Sequence, residues 1–191
     1  MRKVLVILFL LISAQVTYAQ ETKSQNSAID IAKNGTYFDG LLALGSLNLH
    51  YDGESSSWEN NGGLFGFGMR LGTVRYWNKN SKPKIGLNII YASATFMTGE
   101  EVFIQILPLN LGLSTIWKLS ETKAMEVNIN AGYTLNFAFL LMQHGFNINP
   151  EVKFRLTRTL LGIGYQFSKA VDSYNTVVTH QIVLSVGVLK K

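Results

Sequence analysis

Between residues 125 and 139 the odd positions hold Met125, Val127, Ile129, Ala131, Tyr133, Leu135, Phe137 and Phe139. The even positions hold Glu126, Asn128, Asn130, Gly132, Thr134, Asn136 and Ala138. After a short break the alternation returns with its parity reversed. Phe146, Ile148, Pro150, Val152, Phe154 and Leu156 now face off against Asn147, Asn149, Glu151, Lys153, Arg155 and Thr157. Side chains of a strand alternate faces with period 2, so each segment predicts a long strand with one apolar and one polar face. Six further runs share the habit, at residues 36–51, 64–77, 84–97, 102–119, 160–168 and 177–189, although the last has the least distinct faces.

The pattern assigns faces as follows. In the first run Leu41, Ala43, Leu47, Leu49 and Tyr51 lie opposite Ser46, Asn48 and His50. In the second, Phe65, Phe67, Met69 and Leu71 lie opposite Gly66, Gly68, Arg70 and Gly72. The third sets Ile85, Leu87, Ile89 and Tyr91 against Gly86, Asn88, Ala92 and Ala94. The fourth sets Leu107, Leu109, Leu111, Leu113 and Trp117 against Pro108, Asn110, Gly112 and Ser114. The seventh alternates Leu161, Ile163, Tyr165 and Phe167 with Gly162, Gly164 and Gln166. Proline cannot donate to a ladder, so Pro108 and Pro150 predict bulges or local breaks.

The connections alternate in character too. Residues 52–63 (DGESSSWENNGG) read as the longest loop, the most exposed element and a candidate surface-ligand site. Residues 78–83 read as a short basic turn. Residues 98–101, 140–145 and 169–176 share the end of the long loop, which places both termini with the short turns. Tyr51, Trp77, Tyr91, Trp117 and Tyr133 suit aromatic girdles near strand ends.

Residues 1–19 carry the marks of a cleaved secretory signal: basic Arg2 and Lys3, an apolar core from Val4 to Ile12, and a small-residue site ending at Ala19. Residues 20–35 are polar and aperiodic and read as a flexible tail, leaving 36–191 as one domain. Behind an export signal, eight two-faced strands imply an all-β, eight-stranded antiparallel up-and-down transmembrane β-barrel of the outer membrane. A closed barrel is the one strand architecture that satisfies every backbone group within lipid. The polar face consists mainly of Gly, Asn, Ser, Thr and Ala, which fits the narrow interior of eight strands better than a solvated exterior.

Composition then narrows the chemistry. Loss of Arg2 and Lys3 lowers the net charge from +5 to +3, and no Lys/Arg cluster with interleaved aromatics supports nucleic-acid binding. With no cysteine, disulfides, thiolate metal sites and thiol catalysis are excluded. With the polar face inward, Arg70, Glu126, Glu151, Lys153 and Arg155 form an interior polar plug. Glu126 or Glu151 is expected to pair with Arg155, Lys153 or Arg70, because an unpaired buried charge is prohibitive.

His50, His144 and His180 fall toward the outer rim. A lipid-modifying enzyme, such as a lipid A deacylase or acyltransferase, would need a serine beside one of them. Yet Phe146 and Ile182 stand two residues after His144 and His180, and no nucleophile–base–orienter set assembles. The expectation is therefore a non-enzymatic barrel with a structural or surface-interaction role and no cofactor or metal. The lipid-modifying enzyme and a narrow solute channel stand as the alternatives.

Two segments carry a resemblance. Residues 103–118 (FIQILPLNLGLSTIWK) and 146–156 (FNINPEVKFRL), each with proline in mid-strand, resemble strands of the outer-membrane β-barrel domain family that includes PorT-type proteins. The layout is also similar to the small OmpA/OmpX-like eight-stranded barrels. The resemblance implies outer-membrane lipid and lipopolysaccharide as surroundings and the outer-membrane insertion machinery as assembly partner. It implies no activity. Such barrels usually finish on an aromatic residue, whereas this chain finishes Val188, Leu189, Lys190, Lys191.

Overall fold

The computed structural model describes residues 32–53, 56–77, 83–98, 102–138, 141–172 and 175–190. The signal, and the expected tail up to residue 31, lie outside the described residues. Nine strands follow in order: β1 (Gly35–Gly53), β2 (Ser56–Tyr76), β3 (Lys84–Thr98), β4 (Val102–Leu107), β5 (Asn110–Lys118), β6 (Lys123–Ala138), β7 (Leu141–Leu156), β8 (Thr159–Val171) and β9 (Asn175–Lys190). Each pairs antiparallel with its neighbours, β1 pairs with β9, and β4 and β5 both lie between β3 and β6. β4 and β5 are thus two halves of one stave, interrupted at Pro108 and Leu109. The sheet closes into an eight-staved up-and-down barrel without a free edge.

The solvent preference of the two faces is inverted relative to a water-soluble barrel. Among the described residues, 28 large apolar side chains are exposed on the outside, Leu113 at 62% and Ile129 at 58% among them. Arg70, Lys153 and Glu126 are meanwhile buried to 2% or less. Leaving a leucine or phenylalanine in water forfeits about 1.5–3 kcal/mol. Such an exterior is stable only against an apolar medium.

Several expectations need correcting. Residues 52–63 are not a loop, since the β1–β2 ladder continues to Gly53 opposite Ser56. Residues 141–145 and 169–171 likewise belong to β7 and β8. Over residues 52–63 the polar composition hid the pairing, because a hairpin that leaves the apolar belt needs no apolar face and the ladder persists without alternation. The expected contrast in loop length disappears with it. What distinguishes the hairpin end is that residues 45–53 and 56–64 continue past Leu44 and Phe65, the last exposed apolar pair on β1 and β2 among the described side chains.

The first strand faces the opposite way from the expectation. Tyr37, Asp39, Leu41, Ala43 and Leu47 point inward, while Phe38 and Leu44 are exposed and Asn48 and His50 lie outside. Both rows of this strand are apolar over residues 41–44, so the pattern could not rank them. The third and fourth runs each change phase midway. In β3, Tyr91 and Ala92 are both exposed, where the register with β2 slips between Leu71–Ala92 and Gly72–Ile90. Beyond the slip Ser93, Thr95 and Met97 point inward and Ala94 outward. At the same level Pro108 and Leu109 are both exposed, with Leu107 inward and Asn110 inward again. The two extra residues lie side by side, so β3 keeps register with its partners while the defect is absorbed against β2 and β6. Pro150 acts more mildly: opposite Ile129 in β6, it only interrupts the β8 ladder at Asn149 and Pro150, without a register change.

The β7–β8 connection comprises Thr157 and Arg158. Thr157 adopts φ 63°, where a β-branched residue is sterically strained and glycine is not. Thr157→Gly is expected to stabilise the folded barrel by up to about 1 kcal/mol, the relief of strain being partly offset by glycine's greater chain entropy. Urea midpoints in vesicles check this, and an unchanged or lower midpoint would contradict it.

Candidate functional site

The lumen is filled in four layers, and the strands supply them in order along their inward rows. At the end carrying the β2–β3, β5–β6 and β7–β8 connections (the turn end), Val74, Tyr76, Ile116 and Ala124 form an apolar floor with Ala32. Tyr37, Leu160 and Leu189 extend it. Residues 32–34 lie across this end. Lys84 Nζ donates to the Ala32 carbonyl, Arg155 Nη1 to the Lys33 carbonyl at 3.0 Å, and Tyr76 N to Asn34 Oδ1 at 2.6 Å. The last residues of the expected tail are therefore held by the barrel.

Above the floor lie all five predicted plug residues, joined by one that sequence reasoning missed. Asp39 Oδ2 accepts from Arg70 Nη2 at 2.7 Å, from Arg70 Nε at 3.1 Å and from Lys153 Nζ at 2.7 Å. Glu151 Oε1 accepts from Arg70 across the lumen at 2.6 Å and from Ser185 at 2.8 Å. Arg155 pairs with Glu126, which also accepts from Asn128 at 2.8 Å, and donates to Tyr76 Oη at 3.0 Å. Lys153 Nζ sits 4.0 Å from the centre of the Tyr37 ring, and the Tyr37 hydroxyl donates to Asn88.

The five expected charges sum to +1, and Asp39 makes the layer neutral. Neutrality matters because removing an ion from water costs several kcal/mol even after relaxation, which only close, hydrogen-bonded partners repay. That missing anion was the available signal, since Asp39 is the one acid between residues 36 and 51. It was overlooked because its row reads as apolar.

Toward the hairpin end the charges give way to amides and hydroxyls. Asn88 donates to Asn130 at 3.0 Å, Asn110 and Asn147 exchange hydrogen bonds at 2.7 and 3.2 Å, and Gln105 meets Gln166, Gln181 and Ser168. Small residues make room for them. A Cβ on Gly132 would collide with the Asn110 amide, and one on Gly162 with the Ser185 hydroxyl. Leu47, Leu64, Met97, Phe103 and Val177 then form an apolar lid. The charged and amide layers are closed above by aliphatic, methionine and phenylalanine side chains and below by a largely apolar floor, of which only the Tyr37 and Tyr76 rings and hydroxyls meet the polar network.

The three histidines are all outside the lumen. His180 Nδ1 meets the Tyr165 hydroxyl, and His144 stacks on Tyr133 with ring centres 6.1 Å apart. His50 lies opposite Thr176 and His180 opposite Ser46. The pair expected to meet is thus four residues apart along adjacent strands. Of the expected girdle, Trp77 and Trp117 lie at the turn end, Tyr91 sits mid-strand at the bulge, and the side chain of Tyr51 lies outside the described residues.

Because Asp39 holds two cations, Asp39→Ala is expected to cost about 3–5 kcal/mol of unfolding free energy. Adding Lys153→Met should recover part of that loss by removing one of the stranded cations. Urea titration of the vesicle-folded protein measures both, and a single-variant loss as small as that of an exposed ion pair, below about 1 kcal/mol, would refute the network's role.

No family model matches the chain, and no curated protein matches it. Solved structures do match. The chain is similar to the outer membrane enzyme PagL at 9% identity, with 77% of this chain and 97% of that chain covered and a TM-score of 0.49. It is similar to Neisserial surface protein A at 12% identity, covering 81% and 96%, with a TM-score of 0.44. It is also similar to Ail, the attachment invasion locus protein of Yersinia pestis, at 11% identity, covering 80% and 98%, with a TM-score of 0.35.

Proposed function

We propose that the chain is a small, non-enzymatic outer-membrane β-barrel with a structural or surface-interaction role, delivered by a cleaved signal and inserted by the outer-membrane assembly machinery. The single observation carrying this reading is the inversion of the barrel: an apolar exterior around a lumen of paired charges and amides. Water would reverse that arrangement, whereas hydrocarbon requires it. The turn end, flush with the apolar belt, faces the periplasm, and the projecting β1–β2 hairpin faces outward. That hairpin replaces the expected loop 52–63 as the element most able to meet a surface ligand.

A solute channel is disfavoured by the two apolar layers that close the lumen and by an eight-staved interior that side chains alone can fill. A lipid-modifying enzyme has one feature in its favour, the Tyr165–His180 pair on the lipid-facing side. Ser46 stands directly opposite His180 on the same outer face, but the hydrogen-bond partner described for His180 is the Tyr165 phenol, and no nucleophile–base–orienter set is assembled among the described residues.

Planar-bilayer recordings are expected to show no stepwise conductance. Lipid A from cells expressing the protein is expected to keep its acyl pattern in mass spectra, with His180→Ala indistinguishable from the parent. Discrete conductance steps would establish the channel, and an acyl change abolished by His180→Ala would establish the enzyme. A protein that stays folded and monodisperse without detergent would overturn the membrane reading itself.

A further inference from the structure

The charges outside the lumen are segregated by end. At the turn end the described cations include Arg75, Lys118, Lys123, Arg158 and Lys190 on five different parts of the circumference. The β2–β3 connection adds Lys79 and Lys82 in sequence, and among the described residues Glu121 is the one acid outside the lumen at this end. The hairpin end is the opposite. Asp52, Glu54, Glu59, Glu100, Glu101 and Asp172 fall there by chain position, against the single cation Lys169. The charged layer inside is neutral, so the net positive charge of the barrel resides in a collar around its turn end.

We propose that this collar binds the phosphate headgroups of anionic phospholipids in the leaflet surrounding the turn end. The inference rests on the membrane reading above and adds a ligand and a place to it. Three observations point to lipid rather than to an acidic protein. The cations encircle the barrel instead of forming one patch, and only headgroups surround a barrel on all sides. Arg75, Lys123 and Lys190 are exposed on strand positions that continue the outward apolar rows, so they emerge where the belt ends. Trp77, 61% exposed, lies two residues from Arg75 on the same face, and indoles settle at the headgroup level. Each such cation gains from a nearby anionic surface, while the acidic hairpin end is repelled by it. Together they set the depth and direction of the barrel.

The test uses the mature chain folded into vesicles of phosphatidylcholine with phosphatidylglycerol, extracted gently into detergent, with the retained lipids quantified by mass spectrometry. The parent protein is expected to enrich phosphatidylglycerol over phosphatidylcholine, increasingly so at low salt. The triple variant Arg75→Gln/Lys123→Gln/Lys190→Gln is expected to lose that enrichment by up to about fivefold per cation removed. Lys169→Gln, at the other end, is expected to leave it unchanged. Heat-modifiable migration on gels shows whether each variant has folded. A parent protein that never folds in vesicles sinks the membrane reading. A folded parent without the preference, or a folded triple variant that retains it, sinks the collar. A preference that shifts to added lipopolysaccharide, and is lost in the triple variant, overturns the phospholipid assignment by placing the turn end outward.

Discussion

The interior of this barrel depends on a neutral set of six buried charges held where water does not reach. Asp39, Arg70, Glu126, Glu151, Lys153 and Arg155 come from β1, β2, β6 and β7, and each cation reaches at least one carboxylate. Burying any one alone would cost several kcal/mol, a large fraction of a typical domain's margin of stability. The set is therefore conditional on the whole ring being closed, because closure brings β2 and β7 within reach across the lumen. Several polar atoms near the network, including Asp39 Oδ1 and Asn149 Oδ1, have no hydrogen-bond partner among the described residues, so satisfaction is concentrated on the ion pairs.

Two local defects keep the polar rows inside. Without the extra residues at Tyr91–Ala92 and Pro108–Leu109, the inward phases of Asn88 and Ser93, or of Leu107 and Asn110, could not both hold. A one-residue slip turns every subsequent side chain to the other face. Placing both defects at one level confines the distortion to a single stave pair. The phase change directs Met97 and Phe103 inward, where they contribute to the apolar lid. A backbone irregularity and the sealing of the lumen thus have a common origin.

The outside obeys a different constraint. Large apolar side chains occupy the belt on every stave, and among the described residues the exposed charges lie toward the two ends of the barrel. The division into a basic turn end and an acidic hairpin end does not follow from closure or packing, since either sign would be solvated there. It records a relation between the barrel and its surroundings, whereas the buried network records a relation of the chain to itself.

Residues 125–137 and 146–156 determined their own strand conformation and the grouping of their side chains into two faces from sequence alone, and the small size of the polar residues chose which face turns inward. Those segments and the glycine and asparagine rows made the closed, inverted barrel legible, while the charge imbalance of the five plug residues went unread. The tertiary structure decided what local pattern leaves degenerate. In β1 both rows are apolar, so only pairing with Arg70 tells which side holds Asp39. In β3 and the β4–β5 stave, bulges change the phase without changing composition. Beyond the belt, polar residues pair as readily as they form loops, and only the partner strand distinguishes the two. Alternation encodes a choice between two solvents; where neither or both rows suit hydrocarbon, the choice passes to neighbours distant in sequence.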